Sequence, residues 1–400
     1  MVKKIATSLD QLQHNLGIRK NLFKEEIKKN NIKLLDFDIF FSKYKFLAKI
    51  FYFMLPITGI IYRSFIYNLK VIDRTYCNKK LKKSKNKIFV INELKYRFLL
   101  AKIFFFIHRP DLIISVHGYF YSSAVISQVA IEKKVNFFIL ENTFDKKKIF
   151  YRDNYNFYKV QNLIKKKSLK NFSKIKYFNI KKFIDIYLQN IQLNKSNQHK
   201  SPLIKTLPKK LKDKKFHLIF MQVYNDINVI NGIKKFKDPV NFLYSLLKQL
   251  KNKNIVIKLH PKEFNGSDIF GVPFNKVTYK LINSNAKLSN YIKQNKILID
   301  YDNTLNTTEL IKQSISCISL NSQALIESRL FNRPSILFSD NYYYQKKFFH
   351  LCSNIKDINA YVLKPNKSNK MFNYYLYTLI NNIFINKTEV DLVKFIKNKI

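Results

Sequence analysis

Between Asp111 and Leu140 the chain alternates short apolar runs with a segment of helical spacing. The runs "DLIISV" (Asp111 to Val116) and "VNFFIL" (Val135 to Leu140) are apolar apart from Asp111, Ser115 and Asn136, and "YSSAVISQVAIEKK" (Tyr121 to Lys134) between them repeats apolar positions every three or four residues. Continuous apolar strands around a helix predict a parallel βαβ unit buried on both faces. The alternation resumes later, with strands expected at "FHLIFMQV" (Phe216 to Val223), "NIVIKL" (Asn254 to Leu259), "KILID" (Lys296 to Asp300), "SCISL" (Ser316 to Leu320) and "SILFS" (Ser335 to Ser339). The helices expected among them are "PVNFLYSLLKQLKN" (Pro239 to Asn252), "TTELIKQ" (Thr307 to Gln313) and "SQALIESRLF" (Ser322 to Phe331).

Between these two series, "QLNKSNQHKSPLIKTLPKKLKDKK" (Gln192 to Lys215) loses its apolar periodicity and gathers prolines and charges, as a domain junction does. The pattern therefore predicts an α/β protein of two Rossmann-like parallel-sheet domains, residues 1–205 and 206–400, facing each other across a cleft. Open parallel sheets bind ligands beyond the carboxyl ends of their strands, so functional residues are expected there.

One segment departs from the alternation. "FLAKIFYFMLPITGIIY" (Phe46 to Tyr62) is the longest apolar run, but it carries Lys49 and Pro56 and falls short of a clean membrane span. It reads as a buried or interfacial helix pair, with a membrane-dipping segment as the alternative.

Composition then narrows the partners. With 73 basic and 26 acidic residues the formal charge is +47, which calls for a polyanionic neighbour, an anionic membrane surface or nucleic acid. No nucleic-acid motif accompanies the charge, and many aromatics lie in apolar runs that read as core, so no nucleic-acid partner is expected. Cys77, Cys317 and Cys352 are too far apart for a metal or redox motif, which suits a reducing cytoplasm. The polar start "MVKKIATSLDQLQHN" reads as lacking an export signal. The expected location is cytoplasmic, peripheral on the inner face of the membrane. Six glycines supply neither GxGxxG nor GxxxxGK[ST], so no Rossmann dinucleotide fingerprint or P-loop is present.

Three stretches can carry chemistry. In "IVIKLHPKE" (Ile255 to Glu263), His260 follows a strand, Pro261 is preset for a first helical turn, and Lys258 shares a face with His260. An imidazole, an ammonium and free backbone N–H groups at one spot suit a phosphate or carboxylate; a capping histidine beside a turn proline is the simpler alternative. In "SCISLNSQALIESRLFNRPSILF" (Ser316 to Phe338) a strand runs into Ser319, Asn321 and Ser322 at a helix start, with Glu327 one to two turns on, either reaching sugar hydroxyls or solvated. Gln222 and Asp226 sit at or after the first strand of the second domain. Asp300 and Asp302 imitate a DxD motif without a companion ligand; they read as turn residues, and no metal is expected. In the first domain His117 and Glu141 follow the two strands of the βαβ unit.

The order of these parts, Gln222 and Asp226, then "KLHP", Asn306 with Glu309 and Leu310, and "SLNSQALIE" leading to Pro334, resembles the capsule polysaccharide biosynthesis family of bacterial glycosyltransferases, which includes Kdo transferases and is distantly similar to sialyltransferases. The resemblance covers Phe216 to Ser339 well and the first domain more loosely, where Glu141-Asn142-Thr143-Phe144 lacks the family's glycine. It implies a GT-B fold and transfer of a sugar, commonly a CMP-activated acidic sugar, to a glycan or glycolipid acceptor, with no other cofactor and no obligatory metal. A UDP or ADP sugar is the nearer alternative, and a basic nucleic-acid-binding protein the one from another class. By the resemblance, His260 and the Ser319 to Ser322 turn hold the donor phosphate and Glu327 reaches the ribose. Glu141 is the first candidate for the base that accepts the acceptor's proton, and His117 the second.

Overall fold

A computed structural model of the chain describes residues 2–51, 83–117, 121–152, 177–196, 208, 211, 214–224, 236, 238–251, 253–266, 276–339, 343–364 and 369–400. The chain forms two compact units, Met1–Asn156 together with Thr378–Ile400, and Phe157–Tyr377.

The first unit opens with β1 (Lys3–Thr7), α1 (Leu9–Leu16), α2 (Lys20–Lys29) and β2 (Ile32–Asp36), a βαβ repeat that the sequence pattern did not reveal. The start of α1 is set by Ser8, whose Oγ accepts from Gln11 N at 3.0 Å, and its end by Gly17 at φ 71°, the left-handed conformation glycine adopts without strain. Then follow α3 (Phe37–Phe51), α4 (Lys83–His108), β3 (Leu112–Val116), α5 (Tyr121–Glu132), β4 (Asn136–Asn142) and β5 (Lys148–Arg152). The expected strand–helix–strand unit around residue 121 is thus present. Of the apolar run 46–62, residues 46–51 end α3 and the remainder lies outside the described residues.

The second unit holds α6 (Tyr177–Ser196), β6 (His217–Phe220), α7 (Pro239–Gln249), β7 (Ile255–Lys258), α8 (Lys262–Asn265), α9 (Val277–Ser284), α10 (Ala286–Gln294), β8 (Leu298–Asp300), α11 (Thr307–Gln313), β9 (Ser316–Ser319), α12 (Ala324–Leu330), β10 (Ser335–Leu337), β11 (His350–Leu351), α13 (Ile358–Val362) and α14 (Asn369–Thr378). Asp238 caps α7 by accepting from Val240 N and Asn241 N, with Pro239 at the first helical position. The sheet order is β11-β10-β9-β6-β7-β8 and every pair is parallel. Counted from its own first strand, this is the order of doubly wound nucleotide-binding folds, and the chain reverses direction across the sheet between β6 and β9. Ile219, Ile257, Ile318 and Ile336 from four of its strands lie wholly in the core.

The C-terminal residues correct two expectations. β12 (Ile385–Asn386) and α15 (Glu389–Lys397) belong to the first unit, not to the 206–400 domain. Leu392, Val393 and Ile396 bury themselves against Ile5, Leu140 and their neighbours, and β12 pairs with β5. The first sheet, ordered β12-β5-β4-β3-β1-β2, is also mixed where it was expected to be parallel: β2, β1, β3 and β4 run parallel, whereas β5 and β12 join antiparallel. The cause is local. β5 follows β4 through a short turn in which Thr143 Oγ1 accepts from Asp145 N, too short for the crossover a parallel strand needs.

Candidate functional site

The switch point of the second sheet lies between the carboxyl ends of β6 and β9. Phe220 is in register with Lys258 on one side and with Ser319 on the other, so three adjacent strands end in one row. Ser319 Oγ fastens that row, donating to Phe220 O at 2.9 Å and accepting from Ser322 N at 3.1 Å. Two residues past the row, beyond the end of each strand, the chain places His260, Gln222 and Asn321. Gln222 is buried, while His260, Asn321 and Ser322 are half-buried. Asp226, expected beside Gln222, lies outside the described residues.

His260 is fixed by its own turn. Its Nδ1 accepts from Lys262 N at 3.1 Å, so in the neutral ring the proton sits on Nε2, which becomes the donor. Pro261 takes helical φ and ψ of −56° and −32° as the residue preceding α8, but α8 is a single turn. A turn this short has little macrodipole, so attraction for an anion at this spot depends on side chains and individual N–H groups.

Lys258 has a task the sequence did not reveal. Its Nζ donates to Asp300 Oδ2 at 2.6 Å and to Leu305 O at 2.8 Å, in a buried position. Asp300 also accepts from Thr304 N at 3.0 Å, which agrees with its expected turn role. Asp302 is paired with Lys276 at 3.0 Å, so each aspartate of the DxD-like pair faces a lysine. Glu327, read as either ribose-binding or solvated, is buried in α12. Asn306 caps α11, accepting from Thr308 N and Glu309 N, and Glu309 pairs with Lys312 at 2.9 Å. Pro334 accepts from Cys317 N at 2.9 Å. Tyr343, which sequence reading passed over, donates from its hydroxyl to Ser322 O at 2.5 Å and so braces the turn. No local signal marked it, because its partner lies 21 residues away.

In the first unit, the ends of β3 and β4 bring both base candidates together. Val116 is in register with Leu140, and His117 N donates to Leu140 O at 3.1 Å, which sets His117 beside Glu141. His117 takes φ 59°, a left-handed turn uncommon for a residue with a side chain. Its Nδ1 lies 2.7 Å from Glu141 Oε2, and Glu141 Oε1 accepts from the buried Arg152 Nη2 at 2.5 Å. Arg152, opposite Ile139 on β5, reaches Glu141 along the diagonal of the antiparallel pair. Burial would push the Glu141 carboxyl up, but His117 and Arg152 outweigh it and hold the group below its ordinary value. An ionised carboxylate at Nδ1 orients the imidazole and makes Nε2 the proton acceptor. Of the two side chains His117 is the more accessible, at 23% against 11%. Gly118 lies outside the described residues.

The model of the family described as "Capsule polysaccharide biosynthesis protein" matches residues 118–388. The chain belongs to that family. Within the match fall Glu141, Arg152 and the three strand ends of the second unit, while His117 precedes it by one residue. Among solved structures, this capsule-family chain is similar to Thermosulfurimonas dismutans KpsC, beta Kdo 2,7 transferase, at 16% identity over 76% of this chain and 90% of that one, with a TM-score of 0.45. A second Thermosulfurimonas dismutans structure, KpsC, beta Kdo 2,4 transferase, is 14% identical over 67% and 79%, with a TM-score of 0.43. Methanocaldococcus jannaschii UDP-GlcNAc 2-epimerase is 12% identical over 95% and 99%, with a TM-score of 0.31. No curated protein matches the chain.

Proposed function

We propose that this capsule-family protein is a glycosyltransferase that moves an acidic sugar, Kdo or a sialic-acid-like sugar, from its CMP donor to a surface-polysaccharide or lipid-linked glycan acceptor. The observation that carries the reading is the row of strand ends Lys258, Phe220 and Ser319, which His260, Gln222 and Asn321 each follow by two residues, at the switch point where doubly wound sheets take nucleotides. His260 Nε2–H and the Ser322 turn are assigned to the donor phosphate. Lys258 is assigned an indirect part, keeping the β7 end and the Leu305 backbone in place. Because each of Asp300 and Asp302 faces a lysine, charge on the departing nucleotide is assigned to fixed donors with no metal required.

The base assignment moves from Glu141 to His117, with Glu141 and Arg152 as positioning residues. In this reading the acceptor hydroxyl gives its proton to His117 Nε2 as its oxygen bonds the anomeric carbon. The bond from that carbon to the CMP phosphate oxygen breaks, and CMP departs with the electron pair.

The test is stabilisation of the purified protein by CMP, UDP, GDP and ADP, read as thermal shifts. CMP is expected to stabilise most, and His260→Ala to remove that shift while leaving the melting of the unliganded protein in place. Stabilisation by UDP or ADP in preference to CMP would overturn the donor, and a shift unchanged in His260→Ala would overturn the site.

A further inference from the structure

Helix α3 has two apolar faces where a surface helix needs one. Phe37, Phe41 and Ala48 are buried in the unit. On the other side Ile39, Phe46 and Ile50 fall at helical spacing with Leu47 and Phe51 beside them, and all five are exposed, Phe46 to 78%. Helix α4 packs along α3, with Phe104 and His108 against Phe40, and adds exposed Ile103, Phe106 and Ile107. Scattered apolar side chains are ordinary on a surface, but a contiguous stripe on two neighbouring helices is an interaction surface.

Beside the stripe lies a cavity of about 660 Å³ between α2, β2, α3 and α4. Its walls are mostly apolar, among them Ile27, Leu34, Phe40 and Phe104, whereas Lys24, Lys28 and Lys43 line it with exposed side chains. Asp36 and His108 also line it; burial pushes the Asp36 carboxyl up, and pushes His108 down with help from Lys33 and Lys4. Ile39, Lys43 and Ile107 belong both to the cavity and to the exposed surface, so the two are continuous.

We infer that this face of the first unit docks on an anionic phospholipid bilayer, with the stripe in the interface, an acyl chain in the cavity, and Lys24, Lys28 and Lys43 against lipid phosphate. An apolar stripe opposite a buried face suits a helix lying in the plane of an interface, and clustered lysines next to it complement anionic headgroups. The inference does not rest on the nucleotide reading. Nucleotide thermal shifts recorded on the same variants are expected to stay unchanged, so the two can fail separately.

The chain contains no tryptophan, so Phe46→Trp and Phe106→Trp each install a sole reporter on an exposed site, and Tyr301→Trp in the second unit serves as control. With vesicles of phosphatidylcholine and phosphatidylglycerol, the two reporters are expected to shift to the blue and to be quenched by brominated acyl chains, and the control is not. Replacing Lys24, Lys28 and Lys43 together by Ala is expected to weaken vesicle binding by about a hundredfold, from about 1 kcal/mol for each lysine. The matched triple Lys251, Lys293 and Lys296 to Ala, at exposed sites in the second unit, should weaken it far less. Unquenched reporters, or equal losses in the two triples, would overturn the inference. So would light scattering that shows wild-type chains pairing through this face and Phe46→Glu separating them.

Discussion

Lys258 Nζ lies 2.6 Å from Asp300 Oδ2, with both side chains almost wholly out of solvent and in register on adjacent strands. A pair of this kind is costly to break from one side, because the remaining charge stays buried without its counterion. Asp300→Ala is expected to destabilise the second unit by about 3–5 kcal/mol. Lys258→Met with Asp300→Leu should lose much less, since both charges go together. Urea unfolding of the two variants checks this; equal losses would mean that the lysine is stabilised elsewhere.

The ion-paired Glu141 leads to a separate prediction about the reaction. His117→Ala is expected to lower kcat by about 10²–10⁴ while leaving CMP stabilisation and the circular dichroism spectrum unchanged. Glu141→Gln keeps a hydrogen-bonding group but removes the charge that orients the His117 ring through Nδ1, so it should lower kcat with KM little changed. The measurement is kcat and KM for wild type and Glu141→Gln, normalised to folded protein. A merely structural Glu141 would lower the amount of folded enzyme and leave kcat per folded molecule unchanged.

Ser319 ties the ends of β6 and β9 through one hydroxyl, so its loss should be felt both in stability and at the strand ends. Ser319→Ala leaves Phe220 O without this donor and Ser322 N without this acceptor, at a cost of about 1–3 kcal/mol. The expected readout is a lower Tm together with weaker CMP stabilisation. Ser319→Thr, which keeps the hydroxyl, should recover part of the CMP effect.

Strands β6 to β10 of the second sheet were legible because each lies in a largely apolar run bounded by turn residues, as at "NIVIKL" and "SCISL", whereas the two-residue β11 was too short to show a pattern. The row of strand ends was legible for the same reason, since His260 and Ser319 lie at fixed offsets from those runs. What escaped reading depends on contacts distant in sequence. Lys258 and Asp300 are 42 residues apart, and Arg152 reaches Glu141 only after β5 turns back antiparallel. In sequence the C-terminal "LVKFIKNKI" (Leu392 to Ile400) reads as an ordinary basic helix, and only Leu392, Val393 and Ile396 meeting the first core return it there. β1 and β2 were missed because "KKIAT" and "IKLLD" mix lysines into short strands, whose buried positions only the partner strands define.

Glu263 supplies the last prediction, in the turn that carries His260. Its N–H donates to His260 O at 3.0 Å, and its carboxylate is buried against Thr278, accepting from Thr278 N at 3.1 Å and from the Thr278 hydroxyl. Burial lifts its pKa to about 7 in spite of those bonds, from an ordinary value of 4.5 that the unfolded chain retains. Because the folded protein holds this proton more tightly, the contribution to stability is full below about pH 4.5 and is lost as pH rises to about 7. The loss is of the order of 3 kcal/mol at most, at about 1.36 kcal/mol for each pH unit. Glu263→Gln remains uncharged at every pH, so its Tm should not show this fall between pH 4.5 and 7 and should exceed that of wild type above pH 7. Parallel pH profiles for the two proteins would show that Glu263 does not take up its proton in this range.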